Sequence, residues 1–182
     1  MTEQDIIALI EKDEWMMQVL RVANELNLPD WMIGAGFVRN KVWDYLHGNQ
    51  TPHNEDSDID LAYFDSTDVH EETEKKYDIW LKSKMEANWS AKNQARMFAV
   101  NNTEPYKSSE DAISNWVETA TAIAVKLENG KLKLIAPHSI DDLVNLIIRP
   151  TSLFKNNTQR VRERAEKKQW LKKWPKLKMI LE

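Results

Sequence analysis

Two aspartates separated by a single residue carry the chemistry that this sequence suggests. Asp58 and Asp60 stand at the start of an apolar run, residues 59–64, that reads as a β-strand. Successive side chains of a strand point to opposite faces, so both carboxylates project to the same side. Carboxylates that close repel each other, and a hard divalent cation with oxygen ligands, Mg²⁺ or Mn²⁺, relieves the repulsion. The pair therefore predicts a metal site.

A glycine-containing turn lies upstream of this pair. Gly34 and Gly36 separate a short apolar strand, residues 31–33, from a helical pattern over residues 38–47 whose first turn holds Arg39. Glycine permits positive φ and lets a ligand approach the backbone closely. A helix start presents free N–H groups to phosphate, and arginine adds a fork of donors. We therefore expect Gly34, Gly36 and Arg39 to form a phosphate cradle.

The order strand, glycine turn, helix, acidic strand is typical of an enzyme that acts on a nucleoside triphosphate. Each half has a simpler interpretation. A glycine turn before a helix is often only a tight connection, and an acidic pair in a loop is often solvated or caps a helix. The combination favours the nucleotide interpretation over either simpler one.

These residues also resemble a known family. Residues 35–40, AGFVRN, followed by Asp58-Ile59-Asp60, are similar to the GGxVRD…DxD signature of the nucleotidyltransferase superfamily. The similarity is greatest to the head domain of CCA-adding enzymes and bacterial poly(A) polymerases, and to small bacterial proteins of that fold. It extends over roughly residues 15–155. It implies an α/β (α+β) nucleotidyltransferase fold, a small mixed β-sheet flanked by helices, that binds a nucleoside triphosphate with Mg²⁺ or Mn²⁺.

The resemblance has two departures. The superfamily carries a third carboxylate on a neighbouring strand, but here that strand, residues 89–91, offers Ser90. Glu118 is our candidate for the third acid and Glu86 a weaker one. The second departure is Asn40, which stands where the CCA-type motif has aspartate.

The resemblance also points to Asn93 and Arg96, which follow the third strand and in this family would face the nucleotide. The alternative is that Asn93 caps the helix over residues 92–99 and Arg96 forms a surface ion pair. The sequence does not choose between these roles.

The leading functional hypothesis is transfer of a nucleoside monophosphate from a triphosphate to an acceptor hydroxyl. The acceptor is a small molecule, a protein or an RNA end. The alternative, which Ser90 favours, is a non-catalytic nucleotide- or RNA-binding protein on the same fold.

Further elements follow from pattern alone. Residues 2–27 read as one helix, and residues 119–127 and 131–135 as a hairpin through Asn129-Gly130. A long helix is predicted from Thr67 to about Ala87, and a short one from Ser108 through Ser114. The loop 48–57 contains His53 and acidic residues but matches no zinc spacing.

Composition sets wider bounds. With 182 residues we expect one nucleotidyltransferase-like domain, residues 1–150, and a basic helical segment, residues 151–182. The chain has no cysteine, which excludes disulfides and cysteine nucleophiles and fits the cytoplasm. We see no signal peptide, and no apolar run reaches membrane-spanning length.

The basic segment has two interpretations. Residues 155–178 carry a charge of +8 and leave −12 on the rest of a chain whose net charge is −4. The segment either contacts RNA, with stacking by its tryptophans, or packs on the body. The residues that would pack are Val161, Trp170, Leu171 and Trp174. We favour packing.

Overall fold

A computed structural model describes residues 1–49 and 58–181, so the histidine-containing part of the loop lies outside the described residues. The helices are α1 (Glu3–Glu11), α2 (Glu14–Glu25), α3 (Gly36–His47), α4 (Glu71–Lys84), α5 (Gln94–Asn101), α6 (Ser109–Ser114), α7 (Asp141–Val144), α8 (Thr158–Lys167) and α9 (Trp170–Lys173). The strands are β1 (Met32–Gly34), β2 (Ile59–Tyr63), β3 (Trp89–Asn93), β4 (Ala124–Glu128), β5 (Lys131–Ile135), β6 (Ile147–Ile148) and β7 (Lys178–Met179).

The main sheet has five strands in the order β3-β2-β1-β4-β5. β2 and β3 are parallel, and the other neighbouring pairs are antiparallel. The predicted small mixed sheet flanked by helices is therefore confirmed. β6 and β7 form a separate parallel pair that joins the C-terminal end of the described chain to the segment before Pro150.

The two faces of the sheet have different surroundings. The odd residues of β2, Ile59, Leu61 and Tyr63, are buried in the main hydrophobic core with residues of α1, α2 and α3. Strand alternation puts the even residues, Asp60 and Ala62, on the opposite face. A second, smaller core that includes Ala62 covers part of that face. The remainder of that face is open to ligands.

The N-terminal helix was predicted as one element and is two. Thr2 and Asp5 form a reciprocal capping box at the start of α1. α1 ends at Glu11, with Lys12 as its C-cap. Asp13 then caps α2 by accepting a hydrogen bond from the Met16 amide at 3.1 Å. An aspartate accepting a helix-start amide favours a new helix over continuation of the old one.

The β-hairpin is confirmed, and its first strand is shorter than expected. Glu128 pairs with Lys131, and both loop residues, Asn129 and Gly130, have positive φ, as a two-residue hairpin turn requires. The strand predicted over 119–127 begins only at Ala124, because the preceding residues fold into turns with hydrogen bonds back to the Glu118 carbonyl.

The basic C-terminal segment packs on the body. Trp170 and Trp174 are buried and meet Trp43 edge-on, with ring centres 5.7 and 5.2 Å away. Val161 is also fully buried. Leu171 is 47% exposed, so the prediction that it packs on the body is wrong. Because both tryptophans are buried, neither can stack on an RNA base. The domain boundary at residue 150 stays a prediction.

In the turn between β1 and α3, the residue with a strained backbone is not one of the two glycines that the sequence suggested. Positive φ falls on Ala35, at φ 53° and ψ −123°, and on neither Gly34 nor Gly36. That combination belongs to the first central position of a type II′ turn, which glycine dominates. Gly34 has a packing role instead: a Cβ there would lie 2.8 Å from both the Ile123 carbonyl oxygen and the Trp116 ring.

Replacing Ala35 with glycine is expected to stabilise the protein by about 1 kcal/mol. Relief of backbone strain is worth about 1–3 kcal/mol, and the greater freedom of glycine in the unfolded chain offsets part of it. Urea denaturation measures the change, with Ala23→Gly in the interior of α2 as the control that should destabilise. A lower midpoint for Ala35→Gly would contradict the strained turn.

Within residues 1–49 and 58–181, no helix combines the length and the apolar character needed to cross a lipid bilayer.

Candidate functional site

Three residues lie side by side across the centre of the sheet. Gly34 on β1 is the register partner of Asp60 on β2, which is in turn the partner of Ser90 on β3. Directly paired residues on antiparallel strands have Cα atoms about 5 Å apart. The acidic strand and the glycine turn therefore meet, as the sequence hypothesis requires.

A cavity of about 240 Å³ opens over this row. Asp60 and Ser90 line its floor, and Ala35 brings the start of α3 to it. The rest of the wall includes two arginines of α8 and an aromatic side chain: Arg160, Arg164 and Trp116. The cavity thus combines a carboxylate, cations and an apolar ring.

Asp60 has an electrostatic environment suited to binding a cation. Burial raises its pKa above the ordinary aspartate value of 3.8, and the Asp58 carboxylate raises it further. Lys168, Arg39 and Arg164 act in the opposite direction from a distance. No side chain in the described part of the chain donates a hydrogen bond to Asp60, so its oxygens remain available.

Two carboxylates are what the described residues offer a metal. Asp58, one residue before β2, is exposed, and Asp60 is half-buried. Outside the undescribed loop, no group of three or more His, Cys, Asp or Glu side chains is placed to hold an ion. An adjacent pair of carboxylate oxygen donors fits a hard divalent cation that keeps several waters. The donor set therefore fits Mg²⁺ or Mn²⁺.

Arg39 lies beneath the cavity and does not line it. Its side chain is 3% exposed and donates to Thr121 Oγ1 at 2.7 Å and Asn40 Oδ1 at 2.9 Å. The guanidinium carbon lies 5.1 Å from the Trp43 ring centre and 4.4 Å from that of Trp170. Burial lowers the pKa of Arg39 to about 10, which leaves it charged at neutral pH. Its contacts join α3 to the C-terminal segment.

Asn93 lies at a junction of backbone segments. It is fully buried, and its Oδ1 accepts the amide of Ala95, which caps α5, and the amide of Asp65. Its Nδ2 donates to the carbonyls of Asp65 and Asp68. These contacts fix α5 and the turn after β2 relative to β3.

Arg96 makes its contacts with Glu74 on α4. Its Nε and Nη2 each donate to a Glu74 carboxylate oxygen at 2.7 Å, and Glu74 is fully buried. Burial opposes ionisation, yet the hydrogen bonds from Arg96, Asn93 N and Lys92 hold the pKa of Glu74 below its ordinary value of 4.5. Neither Asn93 nor Arg96 lines the cavity.

We expect Arg96→Met to lower stability by about 2–3 kcal/mol, because it leaves the buried Glu74 carboxylate short of partners. Nucleotide affinity should stay unchanged, because Arg96 does not line the cavity. Since the folded pKa of Glu74 is depressed, the loss should be largest above pH 4.5 and shrink as pH falls. Denaturation at several pH values checks this. Arg21→Met removes a solvent-exposed pair with Glu14 and should cost under about 1 kcal/mol. Weakened nucleotide binding with unchanged stability would contradict the structural role.

Glu118, the candidate third acid, is bound to an arginine of α8. It is 1% exposed, and its Oε1 accepts from Arg164 Nε at 2.7 Å. Its Oε2 lies 3.4 Å from Arg164 Nη2. Glu86, the weaker candidate, is exposed and pairs with Lys82 at 3.3 Å. Glu118 does not itself line the cavity, but its partner does.

Sequence reasoning missed Arg160, Arg164 and Trp116 as residues of this site. The two arginines were counted within the basic segment, and their spacing of four residues places them on one face of a helix. That signal identifies a face without indicating what the face contacts. Nothing in the local sequence singles out Trp116.

Comparisons with known proteins agree with this fold. A sequence model of the nucleotidyltransferase family matches residues 21–179. An NMR structure described as revealing a CCA-adding enzyme head domain is 30% identical and superposes with a TM-score of 0.86, covering 98% of this chain and 96% of that one. None of the curated proteins compared with the chain is a significant match.

A CCA-adding enzyme in complex with CTP is a more distant match. It superposes with a TM-score of 0.52 at 16% identity, a level that speaks for the fold alone. The alignment covers 91% of this chain but 47% of that enzyme, so the present chain spans about half of the enzyme's length.

Proposed function

The chain belongs to the nucleotidyltransferase family, and on that premise we propose that it transfers a nucleoside monophosphate from a nucleoside triphosphate to an acceptor hydroxyl, with Mg²⁺ or Mn²⁺ as cofactor. The observation that supports this most directly is the Gly34–Asp60–Ser90 row beneath a cavity that also contains arginines. Acidic strand, helix start and cations converge on one volume, which is the arrangement that a metal-bound triphosphate needs.

Within this proposal Asp58 and Asp60 hold the divalent cation through their carboxylate oxygens. A cation bound there would supply positive charge to the acceptor oxygen and to the departing pyrophosphate. The start of α3, from Gly36 onward, presents backbone amides to the triphosphate, whereas the Ala35 amide already donates to the Ile123 carbonyl oxygen at 3.0 Å. Gly34 contributes by leaving space beside that turn.

The cations that meet the triphosphate are those of α8. Arg160 is exposed and makes no ion pair in the described part of the chain, and Arg164 reaches the cavity while anchored to Glu118. A planar guanidinium offers several donors to phosphate oxygens. Arg39, placed on phosphate by the sequence hypothesis, acts here as a positioning residue between α3 and the tryptophans. Glu118 orients Arg164, whereas Asn93 and Arg96 hold the helix that borders the cavity.

A second function has one specific observation in its favour. Ser90 occupies the position beside Asp60 where the superfamily carries an acid, and the described residues supply no third carboxylate at the site. A site with two acids could bind a nucleotide without turning it over. The alternative is therefore a nucleotide- or RNA-binding protein without catalytic activity.

The acceptor is the open part of the proposal. A small molecule, a protein hydroxyl and an RNA end all carry the required group. Exposed lysines and arginines such as Arg162, Lys172 and Lys173 could contact an RNA backbone through charge alone. The lack of cysteine supports a place in the cytoplasm.

The test is direct. The protein is incubated with each of the four triphosphates, labelled at the α-phosphate, together with Mg²⁺ and separate pools of metabolites, proteins and RNA. We expect pyrophosphate release and transfer of label to one pool, both abolished by chelation. Tight binding of a triphosphate without pyrophosphate release in any pool would favour the non-catalytic alternative.

A further inference from the structure

Trp116 is one of two aromatic side chains that line the cavity. The other, Phe154, has the Arg160 guanidinium carbon 5.4 Å from its ring centre. Trp116 is half-buried and lines the same volume as Asp60 and Arg164. Trp43 and Trp174 are buried, and each donates its indole N–H to an oxygen. The Trp116 Nε1 donates no hydrogen bond within residues 1–49 and 58–181, and it is not among the buried unpartnered atoms. Part of this indole therefore faces open space.

The position of Trp116 is built into the backbone around it. Its amide donates to the Ile113 carbonyl at 2.9 Å, and its own carbonyl accepts from Thr151 Oγ1 at 2.7 Å. Its six-membered ring occupies the space that a side chain at residue 34 would fill, since a Cβ there would lie 2.8 Å from the ring. Gly34 therefore accommodates the indole beside the residue that pairs with Asp60.

We propose, on the basis of the function proposed above, that Trp116 is the surface on which the base of the bound nucleoside triphosphate stacks. The cavity already separates the two requirements of such a ligand: charge at Asp60, Arg160 and Arg164, and an apolar ring at Trp116. Stacking on an indole stabilises any of the four bases, because every base has a π-face. Trp116 accordingly supplies affinity for the nucleoside half without selecting among bases.

A purely structural role is the competing explanation. Trp116 also packs against a small cluster that includes Met32, Ala62 and Ile113. If packing were its only role, its removal would disturb the cavity as a whole. A loss of affinity would then be the same for a ligand with a base and for one without a base.

The experiment compares ligands that differ in the base alone. Calorimetric titrations with Mg²⁺ use ATP, CTP, GTP, UTP and inorganic tripolyphosphate on the wild-type protein, Trp116→Leu and Trp116→Phe. Trp80→Leu serves as the matched control, because Trp80 is a half-buried tryptophan of α4 outside the cavity wall. Leucine keeps apolar volume against the cluster and removes the aromatic face, while phenylalanine keeps a smaller one.

We expect Trp116→Leu to weaken all four triphosphates by about tenfold or more and to leave tripolyphosphate within about twofold. Trp116→Phe should retain most of the affinity for the triphosphates. Trp80→Leu should leave the affinity for every ligand unchanged. Equal losses for triphosphates and tripolyphosphate, or no loss for triphosphates, would overturn the stacking role alone. A wild-type protein that binds tripolyphosphate as tightly as the nucleotides would also overturn it. A wild-type protein that binds neither ligand would refute the proposed function, and the stacking role with it.

Discussion

Asp60→Asn is expected to reduce nucleotidyl transfer by at least about a hundredfold and to raise the melting temperature of the metal-free protein at pH 7. The loss of activity follows from the removal of one of two oxygen ligands and its charge, a change of the size seen when an electrostatic element of an active site is deleted. The gain in stability follows from the pKa of Asp60, which burial and Asp58 raise above 3.8.

The direction of the stability change can be worked out from that shift. A carboxyl group whose pKa is higher in the folded than in the unfolded state opposes folding once it is ionised. Above its folded pKa the wild-type protein therefore carries an unfavourable charge that Asp60→Asn removes. Below pH 3.8 the group is protonated in both states, and the gain disappears. We expect the melting temperature of Asp60→Asn to exceed that of the wild-type protein by a few degrees at pH 7 and to equal it at pH 3.

Mg²⁺ should reverse the order of stability. A ligand that binds only the folded protein stabilises it by about 2.7 kcal/mol at a hundred times its Kd, and this contribution requires the Asp60 carboxylate. Thermal scans with and without Mg²⁺, at pH 7 and pH 3, measure all four conditions. Asp65→Asn is the matched control at the other end of β2: hydrogen bonds from Thr67 lower the pKa of Asp65, so that variant should lose stability. Wild-type transfer rates in Asp60→Asn would refute the metal-ligand assignment.

The local parts of this site could be predicted from the sequence. Strand alternation puts Asp58 and Asp60 on one side, and a glycine turn before a helix places backbone amides near that side. The hairpin turn at Asn129-Gly130 is likewise a local property. Each of these inferences depends on residues only a few positions apart, where geometry follows directly from spacing.

The remaining parts depend on packing between distant segments. Arg39 matches a motif position, but its burial is decided by Trp170, which lies far away in the chain. β6 and β7 have two residues each, too short to produce a periodic pattern. The positive φ at Ala35 was missed because sequence reasoning assigns such conformations to glycine, whereas here Gly34 is needed for the Trp116 ring.

The role of α8 is the clearest case of this limit. The sequence suggested either an RNA contact or packing on the body, and it did not indicate which cation would turn inward. The structure instead directs Arg164 inward to Glu118, and places Arg160 one turn away on the same wall. The pairing of residues 46 positions apart is set by the docking of the whole segment through Trp170 and Trp174. Under the proposed function, Arg164 therefore couples the stability of the fold to the binding of the triphosphate.

Arg164→Met is expected to destabilise the protein by about 2–4 kcal/mol and to reduce transfer by about a hundredfold. Removing one partner of a buried ion pair leaves the other charge without compensation, here Glu118 at 1% exposure. The partial exposure of Arg164, 33% of its side chain, moderates that cost. The activity falls because the cavity loses a cation that meets the triphosphate.

The double variant Glu118→Gln/Arg164→Met separates the two effects. Neutral glutamine removes the buried charge, so most of the stability should return while transfer stays low. Arg162→Met is the matched control, since it removes the same charge from an exposed position of the same helix and should change neither property. Urea denaturation and the labelled-transfer assay are applied in parallel to the wild-type protein and the three variants. If the double variant regained activity along with stability, Arg164 would support the fold alone, and the triphosphate would have to be bound by other groups.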